Sequence, residues 1–178
     1  MRYVITILIS LFAMTNVLAE HEEISLLHIK GQQAAGMRFG KGTKNKFDLG
    51  LEYQRCFSSK TGLICQLDME RAEFGNSEFS NQFLLGAGLE VVCFHPKTWM
   101  FIDLDIMGNV GYDKWTCEAL EAEKAGIIGG ANIGGVLEMY PAQKIAIILG
   151  GQQYLLFGNS TNYLKPNFFV GLRYVWNR

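Results

Sequence analysis

Carboxylates are the most frequent side chains of this sequence that could do chemistry, and they recur at alternate positions within apolar stretches. In MFIDLDIMGNV, Asp103 and Asp105 alternate with isoleucine and leucine. Paired carboxylates can act as general acid and base, but no nucleophile or matched base lies near them in the sequence. We therefore expect an internal network of ion pairs and hydrogen bonds. The predicted network comprises Arg38, Asp48, Glu52, Asp68, Glu90, Asp103, Glu138 and Arg173.

Glu138 and Arg173 are the pair within this network that is most readily tested. Charge reversal at one of the two should destabilise the protein, and reversal at both should restore it. Independent, additive losses would contradict the pairing.

Histidine and cysteine give little support for an enzyme or a metal centre. His28 is the only histidine in a strand-like segment, no serine lies at an obvious partner position, and we expect a structural role for it. The sequence has no CxxC motif and no Cys/His cluster with zinc-like spacing, so neither a catalytic site nor a metal or other cofactor is expected. The four cysteines allow three disulfide pairings, and free, packed thiols are the interpretation that we favour.

Strict alternation places the carboxylates on one face of predicted β-strands. In KFDLGLEYQRCF, one parity is apolar except for Arg55, and the other holds Asp48, Gly50, Glu52 and Gln54. Successive side chains of a strand point to opposite faces. A soluble sandwich would bury the apolar face, whereas a membrane barrel would turn it toward lipid. The polar face is rich in glycine and poor in lysine, which favours the crowded lumen of a small barrel.

Turn signals divide the chain into strand-like segments of a length that suits tilted membrane strands. A single-chain barrel prefers an even number of strands, so we expect the first two segments to merge as one bent strand around Lys30–Gln33. The prediction is an all-β, antiparallel, up-and-down barrel of about eight strands. Its segments are 24–31, 34–41, 46–57, 62–73, 80–94, 98–112, 125–140, 144–157 and 166–176.

Glycines inside these segments indicate curvature rather than a phosphate-binding loop. GIIGGANIGG is followed by no helix and by no G-K-[ST] sequence, both of which such a loop requires. In a narrow barrel, glycine permits bends and a close approach of neighbouring backbones.

The N-terminus has the layout of a secretory signal peptide, with one arginine, an apolar run and a small-residue exit. We predict cleavage after residue 19 and a single barrel domain over residues 20–178. The net charge of −1 gives no electrostatic basis for binding nucleic acid directly. The expected location is the outer membrane of a Gram-negative bacterium, with outer-membrane lipid as a partner.

The stretch FGNST lies in a predicted loop near the C-terminus. Its residues indicate a turn in the first place, but exposed loops carry function on such scaffolds. A partner-binding loop is therefore predicted at Gly158, Asn159, Ser160 and Thr161.

Five stretches in this order and spacing resemble the TraO family of conjugative-transposon transfer proteins. They are KGTKNKFDLGLEYQR, FLLGAGLEV, IGGVLEMYPAQKIAIIL, FGNST and FFVGLRY. The resemblance covers most of the mature chain, and FGNST followed by GLRY is its most specific part. It implies a non-enzymatic, outer-membrane-associated component of the conjugation apparatus, with other envelope proteins of that apparatus as partners. It brings no catalytic residues.

Three alternatives remain open from the sequence. The first is a generic small outer-membrane barrel of porin-like or adhesin-like type, and the second is a lipid-modifying outer-membrane enzyme. The third is a soluble periplasmic barrel or sandwich with an apolar core.

Overall fold

A computed structural model of the chain describes residues 28–42, 45–75, 78–117, 122–158 and 164–176. These residues form a closed barrel of eight strands, which confirms the predicted fold class. Within these ranges, no helix is long and apolar enough to cross a membrane. The strands are β1 (Gln33–Gly42), β2 (Asn45–Cys56), β3 (Thr61–Gly75), β4 (Glu78–Lys97), β5 (Met100–Cys117), β6 (Ala122–Ala142), β7 (Ile145–Gly158) and β8 (Leu164–Trp176).

Each strand pairs antiparallel with its neighbours in the sequence, and β1 pairs with β8 to close the barrel. If the paired residues are followed once around the barrel from Gln32, the ladder returns at Gly42. This stagger of about ten residues requires tilted strands in a barrel of this size. The interior that results is narrow, and side chains from opposite walls can meet across it.

The two ends of the barrel differ in their connections. One end, called here the turn end, carries the turns at residues 57–60, 98–99 and 143–144, and β1 begins there. The breaks between the described ranges all fall at the other end, called the loop end. There β5 continues to Cys117 and β6 begins at Ala122, so both strands extend beyond the predicted segments 98–112 and 125–140.

Glycine allows close contact between neighbouring strands at two inward-facing positions. A Cβ atom added at Gly88 would lie 2.0 Å from the carbonyl oxygen of Ile106, and one added at Gly130 would lie 2.0 Å from that of Leu155. At the outward-facing Gly135, an added Cβ would meet nothing within 4 Å. The inward glycines are therefore required by the packing of the barrel wall, as the sequence pattern indicates.

The expected merging of the first two segments is wrong. Residues 28–32 form a turn in which Gln32 N donates to Ile29 O at 3.1 Å, and His28 and Gly31 have φ values of 53° and 88°. This conformation interrupts the extended backbone, so β1 begins only at Gln33 and the eight strands are complete without the first segment. Residues 24–27 and the predicted signal peptide, residues 1–19, lie outside the described residues.

All four cysteines are free thiols, as the sequence interpretation favours. Cys56 is buried inside the barrel, whereas Cys65 faces outward and pairs with Tyr53 across β2 and β3. The strand parity therefore separates the two thiols that are closest in sequence.

Candidate functional site: the barrel interior

The side chains on the polar parity of each strand point into the interior of the barrel. All eight residues of the predicted network are buried there, with exposed fractions of at most 6%. The outer face carries large apolar side chains that are half to two-thirds exposed, such as Leu51, Leu85, Ile106, Leu172 and Phe168. The protein is thus polar inside and apolar outside, the reverse of a soluble domain.

Arg173 on β8 connects three strands across the lumen. Its Nη2 lies 3.1 Å from Glu90 Oε2 on β4, and its Nη1 lies 3.2 Å from Glu138 Oε1 on β6. Its Nε donates to Glu52 Oε1 on β2. A guanidinium can serve three carboxylates because it presents five donors in a fixed plane. The predicted pair of Glu138 and Arg173 is in contact, but as one of three.

Arg38 on β1 forms a second connection nearer the loop end. Its Nη2 lies 2.5 Å from Asp68 Oδ1, and its Nε lies 3.7 Å from Glu52 Oε2. The guanidinium stacks over the ring of Phe169, 4.4 Å from the ring centroid. Tyr154 donates its hydroxyl to the other Asp68 oxygen at 2.9 Å.

Lys165 is a buried cation of the lumen that the sequence analysis missed. Its Nζ lies 2.5 Å from Glu70 Oε2 and 2.5 Å from Gln82 Oε1. The residue lies one position before the predicted strand 166–176, although it shares its parity with Asn167 and Arg173. That parity could have identified it.

Neutral amides also join the network. Gln54 donates to Glu90, and Asn167 donates to Asp48. The predicted network comprises only charged residues and therefore omits these amides. The same strand parity would have included them.

The charges of the interior are unevenly distributed over the strands. The buried cations of the described strands are Arg38, Lys165 and Arg173, and all three lie on the adjacent strands β1 and β8. The buried acids lie on β2 to β6, and they outnumber these cations. They are Asp48, Glu52, Asp68, Glu70, Glu90, Asp103, Asp105, Asp113 and Glu138.

Two of the acids on β5 lack hydrogen-bond donors. Neither oxygen of Asp103 and neither oxygen of Asp105 has a hydrogen-bond partner in the described part of the chain. Both side chains are almost completely buried, at 1% and 0% exposure. Buried carboxylates without donors are costly unless a proton or a cation compensates them.

His28 closes the lumen at the turn end. Its Nε2 lies 2.7 Å from Glu138 Oε2 and 3.5 Å from the Tyr140 hydroxyl, and its ring lies 4.4 Å from the ring of Phe101. No described serine is among its hydrogen-bond partners. This arrangement differs from a Ser–His pair poised for acyl transfer.

Apolar clusters occupy the lumen on both sides of the ionic network. Trp99, Phe101 and Tyr140 pack with Ala34 and Val175 at the turn end. Leu84, Ile128, Tyr154 and Leu156 pack together nearer the loop end. Side chains therefore fill the interior at several depths, as an eight-stranded barrel allows.

The predicted partner loop is described only at its first residue. Gly158 ends β7 with a φ of 100°, a left-handed conformation that glycine adopts without strain. Asn159, Ser160 and Thr161 lie outside the described residues.

Comparison with known proteins gives structural similarity alone. No family model matches the chain, and no curated protein matches it. Among solved structures, OprG from Pseudomonas aeruginosa matches with a TM-score of 0.64 and 10% identity, over 85% of this chain and 98% of that one. Neisserial surface protein A matches with a TM-score of 0.62 and 8% identity, over 80% and 94%. Ail of Yersinia pestis matches with a TM-score of 0.55 and 14% identity, over 83% and 100%.

These likenesses define the class of the fold as that of small outer-membrane β-barrels. The apolar outer face agrees with that class and supports a location in an outer membrane. None of the three structures is described as a TraO protein.

Proposed function

We propose that the chain is a non-enzymatic, non-conducting outer-membrane barrel that acts as a structural component, binding other envelope proteins through its loops. The broader part of this proposal, a small outer-membrane barrel, is supported by the fold and by the apolar outer face. The narrower part is a role in the envelope apparatus of a conjugative transposon. It is supported by the resemblance of five sequence stretches to the TraO family.

The contacts of Arg173 are the observation that carries the proposal of a closed lumen. Its guanidinium meets carboxylates from β2, β4 and β6, so it ties three strands to β8 through the centre of the barrel. With the apolar clusters on either side, little room remains for an aqueous channel. Such a barrel acts through its ends and loops rather than by transport.

The absence of enzymatic activity is also part of the proposal. His28 contacts Glu138 and Tyr140 deep in the lumen, where a lipid substrate at the outer wall would not reach it. If the chain were a lipid-modifying enzyme, His28→Ala would abolish lipid modification while the barrel stayed folded.

The location and the closed lumen can be tested together. We expect the protein in the outer-membrane fraction, with a heat-dependent shift in gel mobility, and no steady conductance after reconstitution into planar bilayers. Release by osmotic shock would contradict the membrane location. Stable single-channel steps would contradict the closed lumen.

The role in conjugation is tested by mating frequency. The gene is deleted cleanly in a donor that carries the element and is then restored in trans. We expect transfer to collapse and to return with the restored gene, and to fall again with a triple alanine variant at Asn159, Ser160 and Thr161 that still assembles. Unchanged transfer after deletion would remove the conjugation role and leave the generic barrel.

A further inference from the structure

We propose that His28, Asp103 and Glu138 form a binding site for a divalent transition-metal cation at the turn end of the lumen. One potential ligand atom from each residue lies within 4.8 Å of the other two, and all three residues are buried. They come from the turn before β1, from β5 and from β6. The closed barrel therefore assembles the site from segments that are distant in sequence.

Asp103 is the residue that indicates a ligand most directly. Both of its carboxylate oxygens are buried and have no hydrogen-bond partner in the described part of the chain. A carboxylate in this state requires either a proton or a positive charge next to it, and Arg173 is already engaged by Glu52, Glu90 and Glu138. A cation held between Asp103, Glu138 and His28 would supply that charge.

The charge balance around the site points the same way. Five carboxylates surround the centre of the lumen, and the only arginines that reach them are Arg38 and Arg173 among the described residues. A divalent cation reduces this excess of negative charge. The five carboxylates are Glu52, Glu90, Asp103, Asp105 and Glu138.

The surrounding contacts orient two of the ligands. Arg173 holds Glu138 Oε1 at 3.2 Å, so that Glu138 Oε2 faces His28. The His28 ring also packs against Phe101, with the two ring centroids 4.4 Å apart. Contacts of this kind fix the ring and the carboxylate in ligand geometry, and they are typical of metal sites.

The donor set and the access route define the class of cation. One imidazole nitrogen with two carboxylate oxygens suits Zn²⁺, Mn²⁺ or Fe²⁺, and it leaves a coordination position open. A cavity of about 390 Å³ at the turn end is lined by His28 and Phe101 and also by His95 and Cys93. His28 borders this cavity, which is the route by which we expect a cation to enter.

The test is Zn²⁺ binding by the untagged chain, refolded in detergent micelles and stripped with a chelator. Isothermal titration calorimetry should show one site, which Asp103→Asn weakens at least about tenfold. Asp105→Asn is the matched control, because Asp105 is equally buried, lies on the same strand and is outside the cluster. It should weaken binding clearly less than Asp103→Asn does, because it removes a nearby charge but no ligand atom.

Folding of each variant is checked by the heat-dependent gel shift. If Asp103→Asn does not fold, His28→Gln replaces it, since His28 lies outside the strands, and the same loss of affinity is expected. X-ray absorption of the bound zinc should show nitrogen and oxygen ligands. Lack of Zn²⁺ binding by the wild type, or equal losses in Asp103→Asn and Asp105→Asn, would overturn the proposal and leave the contact between His28 and Glu138 as a structural hydrogen bond.

Discussion

The inner and outer faces of β5 carry opposite chemistry, although their side chains alternate along one stretch of chain. Ile102 and Ile106 face outward and are about half exposed, whereas Asp103 and Asp105 face inward and are fully buried. The outer face needs only to be apolar, because lipid accepts any such side chain. The inner face depends on particular partners, since each buried charge needs a specific counter-charge or donor. Substitutions on the two faces should therefore have very different costs.

The largest expected effect is the loss of the central arginine. Arg173→Leu leaves Glu52, Glu90 and Glu138 buried without their shared partner, and breaking a buried ion pair in this way costs about 3–5 kcal/mol. The adjacent outward-facing Leu172 is the matched control, because Leu172→Ala removes a side chain that is 59% exposed and should cost less than about 1 kcal/mol. Urea unfolding of the refolded barrel measures both, and equal costs would contradict the distinction between the faces.

A charge on the outer face should cost somewhat less, and its cost should depend on depth. Leu85→Arg places a guanidinium in lipid near the middle of β4 and should destabilise the barrel by about 2–4 kcal/mol. Phe94→Arg, near the turn end of the same strand, should cost about 0–1 kcal/mol. The two wild-type side chains are similarly exposed, at 57% and 59%. Unfolding in lipid vesicles separates them, and a similar cost at both positions would argue against a membrane-spanning β4.

Adding a methyl group should also distinguish the faces. Gly88→Ala forces a Cβ atom against the carbonyl oxygen of Ile106, and overpacking of this kind costs about 1–3 kcal/mol. Gly135→Ala has open space around the new atom and should be neutral or stabilising by up to about 1 kcal/mol. The difference is read from the temperature at which the gel mobility shifts, and a loss at Gly135 as large as that at Gly88 would be inconsistent with the described wall.

The reactivity of thiols inside and outside the lumen compares the two environments without a change in stability. In single-cysteine variants, a membrane-impermeant maleimide should label Cys93, which is exposed at the turn end, in the folded barrel. Cys56, which is 4% exposed inside the barrel, should react only after unfolding. Rapid labelling of Cys56 in the folded state would show that the turn end of the lumen is open to solvent.

The alternation of residues was sufficient to predict the two faces and most strand positions, and to place the eight residues of the predicted network in the interior. It could not predict which charges meet, because contacts across a lumen depend on strand tilt and stagger, and these are set by the closure of the whole barrel. Arg173 illustrates the limit, since sequence reasoning paired it with Glu138 alone. Because it also contacts Glu52 and Glu90, exchanging the charges of Arg173 and Glu138 should not restore stability fully.

The inward position of Lys165 and the turn at residues 28–32 were not predicted from the sequence, and each has a local cause. The predicted strand begins at Pro166, because proline is typical of strand borders, and it therefore excludes Lys165. The turn at residues 28–32 depends on positive φ values at His28 and Gly31, and alternation carries no information about such values.

Lys165 and Glu70 make a simpler pair for charge exchange than Arg173 and Glu138, since Lys165 Nζ contacts one carboxylate and one amide.

The location of the lumen cations on β1 and β8 has a consequence for the order of assembly. A chain that is made and exported from its N-terminus presents the acids of β2 to β6 before the last strand arrives. Lys165 and Arg173 lie within the 13 residues of β8, so most of the compensating charge comes with the final segment. Closing the barrel therefore coincides with the arrival of two of the three buried cations of the described strands. A chain truncated before β8 would lack Lys165 and Arg173, and the mutual repulsion of the acids on β2 to β6 would oppose its compaction.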